Sequence, residues 1–283
     1  MKQSSWLTVN PVLARESRVR MRGWRAPALI TLYVAVLGFI AWVILAGFSM
    51  NSQTFAPELG VTIFGFLGFA QFALLLFSAP GLTAGAIAGE REKQTLDLLL
   101  ITRLSAFQVV VGKLGAAVSF TLLLMFAGLP VFSLLFLLGG IALEALLRTV
   151  VVYVVTVLFV GAIGLYFSSV FKRTQAAVIA AYGVSLGLIV GSLLLSLLMI
   201  ELLRRPNVNP PAWPVVFGYI NPVMGLAAAM GEPISDVTQL YRTALTTAQA
   251  RETLWWGYSL FAMAATALLV WLTSRRIRPF TEH

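Results

Sequence analysis

Long apolar runs separated by short polar breaks set the rhythm of this chain. Six of them are long enough to cross a bilayer: Pro27 to Met50, Leu59 to Ala79, Leu114 to Leu138, Thr149 to Phe171, Thr174 to Ile200 and Leu254 to Ser274. A hydrocarbon core of about 30 Å is spanned by roughly 20 apolar residues in a helix, or by a closed barrel of short alternating strands. These runs are continuous, so the pattern predicts an all-α polytopic membrane protein: one transmembrane domain of six helices over residues 1–283. The first run follows an arginine-rich segment and precedes no small-residue cleavage site, so it reads as a retained span.

Composition agrees with the pattern. With 59% hydrophobic and 11% charged residues, the chain cannot clothe a water-soluble domain in polar side chains. The twenty Lys and Arg residues then set the orientation, because cytoplasmic flanks collect positive charge. A cytoplasmic N-terminus leaves only Arg148, Arg204, Arg205, Arg242 and Arg251 outside, with the other fifteen inside. Both termini are therefore expected to be cytoplasmic. The basic balance is matched to anionic headgroups and calls for no nucleic acid.

One stretch tests that count. Ala212 to Gly231 is mostly apolar but carries Pro214, Pro222, Gly218 and Gly225 and follows Pro210-Pro211. As a seventh span it would place Arg275, Arg276 and Arg278 outside. It is read instead as an outer element within an extracytoplasmic loop over 201–253. It either re-enters the membrane where its broken backbone is buried in protein, or lies on the membrane surface.

The absences narrow the chemistry. There is no cysteine and the single histidine is His283, which excludes disulfides and Cys/His metal sites within the chain. The six span interiors hold no Asp, Glu, Lys, Arg or His, where ion-driven carriers usually keep an ionisable group. No G-x-x-x-x-G-K-[ST] loop is present, since Gly112-Lys113 is followed by Leu114 and lacks the earlier glycine. Nor does any nucleophile lie beside a base. The chain reads as a non-enzyme that binds no cofactor of its own, with its energy supplied from elsewhere.

Two polar segments are built like contact elements. In residues 10–26, Asn10 followed by Pro11 is a helix start signal. At 100° per residue Arg15, Arg18, Arg22 and Arg25 share one face, with Leu13, Met21 and Trp24 opposite. This is the pattern of an interfacial helix under the headgroups, and equally of a positive flank that sets topology.

The second, residues 81–113, is a cytoplasmic segment between spans two and three. It combines the charged run Glu90-Arg91-Glu92-Lys93 with the apolar stretch Leu98 to Ile101, and Lys93 and Asp97 stand at i,i+4 spacing. Ser105-Ala106-Phe107-Gln108 has the form of a capping box opening the next helix. A charge run is ordinarily a solvated face, yet the adjoining leucines need burial, and a protein partner would use both halves.

The two segments resemble the permease subunits of type-2 ABC exporters. The likeness rests on Asn10-Pro11-Val12-Leu13-Ala14-Arg15-Glu16 through Arg20-Met21-Arg22-Gly23. It rests also on Gly85-Ala86-Ile87-Ala88-Gly89-Glu90-Arg91-Glu92-Lys93-Gln94-Thr95-Leu96-Asp97-Leu98-Leu99, and on Asn221-Pro222. The resemblance implies a multi-pass subunit of a prokaryotic cell membrane that pairs with itself or a sister permease. It further implies cytoplasmic P-loop ATPase partners that carry ATP and Mg, and export by alternating access. It assigns ATPase coupling to Glu90, Arg91, Glu92, Gln94, Thr95 and Leu99, and an interfacial role to the N-terminal helix.

Nothing in the sequence selects the cargo. Gln71, Tyr153, Thr156, Tyr166 and Tyr182 are the polar groups within spans from which a pathway would be built, or which pack helix on helix. Pro130 is expected to kink or break span three, for gating or for packing. Two other readings use the same residues. One is a self-sufficient channel or ion-coupled carrier; the other is a membrane anchor that recruits a complex through Glu90 to Ile101 and moves no cargo.

Overall fold

The computed structural model describes Leu13, Glu16 and residues 23–49, 57–95, 105–138, 141–203, 213–231 and 248–277. Among the described residues eight helices can be followed in chain order: α1 (Arg25–Ser49), α2 (Pro57–Thr83), α3 (Ala88–Glu92), α4 (Ala106–Leu138), α5 (Leu143–Val170), α6 (Thr174–Leu202), α7 (Pro222–Met230) and α8 (Ala248–Arg276), and Leu13 and Glu16 are also helical. A 3-10 helix, Trp213–Tyr219, precedes α7. Among the described residues there is no strand. Six helices among the described residues (α1, α2, α4, α5, α6 and α8) are long and apolar enough to cross a membrane. Within Ala212 to Gly231 the described residues form only the 3-10 helix and the nine-residue α7.

The helices start and stop where local chemistry tells them to. α4 opens ahead of Leu114 because the capping box forms. The Gln108 amide donates to Ser105 Oγ at 3.2 Å, and the Ser105 amide donates to Gln108 Oε1 at 3.0 Å. α5 likewise opens ahead of Thr149, with Glu144 and Arg148 paired one turn apart in its first turns. Pro130 does not break its span: α4 runs through it to Leu138, and α2 runs through Pro80 to Thr83. Proline removes one amide donor and leaves the carbonyl four residues earlier without its helical partner, a loss that a helix packed within a bundle tolerates.

α5 is the centre of the bundle, packed by α2, α8, α6 and α7, while α2 also packs on α4. Of the most apolar 18-residue windows, 67% is buried in α4 and α5 but only 11% in α1 and α6. α1 and α6 are therefore peripheral. Aromatic contacts fill the centre, with Phe72 stacked on Tyr153 at 5.9 Å and Phe159 edge-on to Phe261 at 5.9 Å.

α7 is an internal element. Pro222, Met224, Gly225, Leu226, Ala227, Ala229 and Met230 are buried, against α5 and α8. Asn221 pins it in place. Its Oδ1 accepts from the Val223 and Met224 amides, capping α7 with Pro222 at the first helical position. Its Nδ2 donates to the Ile189 carbonyl and Ser192 Oγ of α6 at 2.8 and 2.9 Å.

Candidate functional site

A cluster of charged and hydroxyl side chains gathers at one end of the bundle, around the short helix α3. α2 ends at Thr83, the chain turns through Ala84 to Ile87, and α3 begins with its first amides already satisfied. Ser168 Oγ, buried near the end of α5, accepts from the Ile87 and Ala88 amides, both at 2.9 Å. A helix start buried against α5 needs such an acceptor, because its leading N–H groups have no partner within the helix.

From there α3 joins the two halves of the α5–α6 hairpin. Arg91 Nη1 and Nη2 donate to the carbonyls of Phe171 and Ser169 at 3.2 and 3.4 Å, at the C-terminal end of α5. Glu92 accepts from the Thr174 amide at 2.9 Å and from the Thr174 hydroxyl at 2.7 Å, in the first turn of α6. A cation thus meets the negative end of one helix dipole and an anion the positive end of the next. The Thr174 hydroxyl and amide, with Arg173 nearby, hold the exposed Glu92 carboxyl below the usual glutamate range.

Glu90 points the other way. Its Oε2 accepts from Thr95 Oγ1 at 2.9 Å, and its Oε1 lies 3.1 Å from Lys113 Nζ. Lys113, one percent exposed at the foot of α4, also contacts Glu16 Oε1 at 2.6 Å. An ammonium at that depth is tolerated only with close anionic partners, and here there are two. Beside it the helical residue Leu13 sits so close to Gly115 that a Cβ there would lie 2.6 Å from Leu13 Cδ1. Glu16, Glu90 and Lys113 therefore join the N-terminal segment, α3 and α4.

α3 closes with a left-handed residue. Gln94 has φ 55°, the Gln94 amide donates to the Arg91 carbonyl at 3.1 Å, and the Thr95 amide to the Glu90 carbonyl at 2.9 Å. This is the paired Schellman pattern, in which glycine ordinarily takes the left-handed position. Lys93 and Gln94 are exposed, at the outer edge of the element.

Of the residues singled out from sequence, Glu90, Arg91, Glu92, Gln94 and Thr95 are thus brought together, while Leu99 lies outside the described residues. So do Arg15, Arg18, Arg22 and the Arg25 side chain; Trp24, just ahead of α1, is 82% exposed.

The pathway candidates are all engaged between or along helices. Tyr153 Oη donates to the Gly68 carbonyl at 2.7 Å, Thr156 Oγ1 is 2.8 Å from Tyr258 Oη, and Gln71 Nε2 donates to the Met125 carbonyl at 3.3 Å. Tyr182 Oη donates to the Phe77 carbonyl at 2.5 Å, and Arg276 lies over the Tyr166 ring at 5.5 Å.

Sequence reasoning passed over Ser168, Thr174 and the partners of Lys113. The signal was faint. Ser168-Ser169 and Thr174 bracket the basic turn Lys172-Arg173, where exposed helix ends call for hydroxyls, but nothing in the spacing names α3 as their partner.

None of the curated proteins compared with the chain matches it. Residues 11–274 match a known family described as ABC-2 family transporter protein, which takes in every helix above almost to the end of α8. The chain belongs to that ABC-2 transporter family, and its bundle is the membrane permease of an ABC transporter.

Proposed function

We propose that the chain is the transmembrane subunit of an exporter of the prokaryotic cell membrane, driven by separate cytoplasmic ATPase subunits, with α3 as its coupling helix. The observation that carries the reading is the division of labour within α3. Arg91 and Glu92 tie it to both ends of the α5–α6 hairpin, and Glu90 ties it through Lys113 to α4 and the N-terminal segment. A push on this helix would reach α4, α5 and α6 together as a rigid-body displacement, the motion alternating access requires. The exposed Lys93 and Gln94 form the edge offered to the ATPase; Leu99 keeps the coupling role that the family resemblance assigns it and lies outside the described residues.

A second permease completes the pathway in this reading. Support comes from α6, a peripheral helix in which Gly183, Gly187 and Gly191 recur every fourth residue with no atom within 4 Å of the position a Cβ would take. Small residues so spaced let two transmembrane helices approach closely.

The test begins with mild-detergent purification of the tagged chain from its native host, followed by mass spectrometry and an ATPase assay. Recovery of a P-loop ATPase with vanadate-sensitive turnover is expected. Because the chain has no cysteine, Lys93→Cys or Gln94→Cys gives a single reactive thiol. Each should crosslink to that ATPase, and a thiol at Phe77 in α2 should not. Recovery of the permease alone after crosslinking would overturn the proposal in favour of a channel or carrier.

A further inference from the structure

Among the described residues, three buried polar atoms of the membrane-spanning helices have no hydrogen-bond partner, on Tyr33, Gln71 and Ser185, and the Gln71 amide is the one that lines a cavity. Gln71 of α2 is 2% exposed, and its amide orientation is fixed because Nε2 donates to the Met125 carbonyl of α4. Reversing the amide would set oxygen against oxygen. Oε1 then has no hydrogen-bond partner, which in a buried amide costs about as much as a lost hydrogen bond, unless a donor is supplied.

The surroundings say what kind of donor. Gln71 lines a small cavity between α2, α4 and α5 together with Met125, Phe132, Thr149, Val150 and Tyr153, with space for about one water molecule. The two hydroxyls on that wall have committed their protons elsewhere, Thr149 Oγ1 to the Ala145 carbonyl at 2.8 Å and Tyr153 Oη to the Gly68 carbonyl at 2.7 Å. With Gln71 Oε1 they are acceptors only. Gly128 keeps the place open, since a Cβ there would stand 3.2 Å from Oε1 and 3.4 Å from Nε2. Tyr33 of α1, an electrostatic neighbour of Tyr153, is likewise buried with its hydroxyl unpartnered.

We infer that this cavity binds a single structural water, which donates to Gln71 Oε1 and to a hydroxyl of the α5 wall and so holds α2, α4 and α5 in register. Water fits better than a cation of the same size. It brings the two protons that an acceptor-only wall lacks, whereas a bare cation would find no carboxylate among the lining residues to offset its dehydration.

The direct test is a cryo-electron microscopy map of the complex in nanodiscs at a resolution that shows ordered water. A peak within hydrogen-bonding distance of Oε1 is expected, and a well-resolved side chain facing clear space would overturn the inference. Thermal unfolding supplies an independent arm. Val150→Ile adds a methyl group to the cavity wall. It should lower the apparent Tm by about 3–6 °C by displacing the water, and leave it nearly unchanged in a Gln71→Met background, where no water is needed. Equal effects in both backgrounds would sink the proposal. So would a wild-type Tm that rises in sodium or potassium chloride but not in choline chloride at equal ionic strength, which would mark the site as one for a cation.

Discussion

Glu92 accepts both the amide and the hydroxyl of Thr174, at 2.9 and 2.7 Å, and so serves as the cap that α6 lacks from its own Arg173. The sign of its pH dependence follows. The folded-state pKa is depressed, so the stabilising contribution is fully present above the ordinary glutamate value of about 4.3 and is lost as pH falls through the lower folded value. Thermal unfolding of the wild-type chain and Glu92→Gln, compared at pH 7 and below pH 4, should show the wild-type advantage at neutrality shrinking on acidification. An advantage independent of pH would place the stabilisation elsewhere than in this contact.

Lys113 is the shared partner of two acids on two different segments, and that makes its loss asymmetric. Lys113→Met leaves Glu16 and Glu90 facing each other across an apolar chain. Because both carboxylates are partly exposed, the cost should fall below that of a fully buried broken pair, at roughly 2 kcal/mol. Adding Glu90→Gln should recover part of it, a coupling that a double-mutant cycle measures. A Leu13→Cys, Gly115→Cys pair reports the docking of the N-terminal segment. The disulfide should form readily beside Lys113 and poorly beside Lys113→Met.

Gln94 occupies a backbone conformation that favours glycine, and its exposed side chain has no hydrogen bond to lose among those described. Gln94→Gly should therefore raise stability by about 0.5–1 kcal/mol through relief of the left-handed strain. If Gln94 belongs to the edge that meets the ATPase, the same substitution should weaken ATPase binding while stabilising the permease. Those opposite signs, read by thermal unfolding and pull-down, would separate the two roles.

Much of this was legible because apolar run length and capping chemistry are local. Six spans followed from the run lengths, and the Ser105–Gln108 box from four consecutive residues. Asn221 was visible as half of a dipeptide, but its Nδ2 bonds to Ile189 and Ser192 join residues far apart in sequence. The same limit applies to the charged segment around α3. Its charges read as a surface run, while their partners Ser169, Phe171, Thr174 and Lys113 are supplied by packing that no spacing encodes. Continuity through Pro130 was also beyond the sequence, since a bundle compensates a missing amide through neighbours that only the fold provides.

The gathering of the N-terminal segment, α3, the α5–α6 turn and the end of α8 at one end of the bundle gives topology a direct check. Single cysteines at Ser5, Thr102 and Thr281 should be shielded from an impermeant thiol reagent added outside. Those at Asn51 and Asn207 should react. Labelling at Thr281 from outside would reverse the expected orientation of α8.

Two glycines leave no room for a Cβ, and alanine should cost little at one and more at the other. At Gly68 a Cβ would lie 1.9 Å from Met230 Cε, the free end of a flexible side chain that swings aside, so Gly68→Ala should cost less than about 1 kcal/mol. At Gly225 it would lie 2.5, 2.7 and 3.0 Å from Cδ1, Cγ and Cβ of Tyr258. The Tyr258 ring is fully buried and its hydroxyl is held by Thr156 at 2.8 Å, so neither ring nor α8 can yield without breaking that bond. Gly225→Ala should therefore cost about 2 kcal/mol, the range of core overpacking. Adding Tyr258→Leu, which vacates the ring, should return most of it. Equal, small effects at both glycines would mean that α7 is free to move away from α8, and would remove the basis for treating it as a fixed internal element of the bundle.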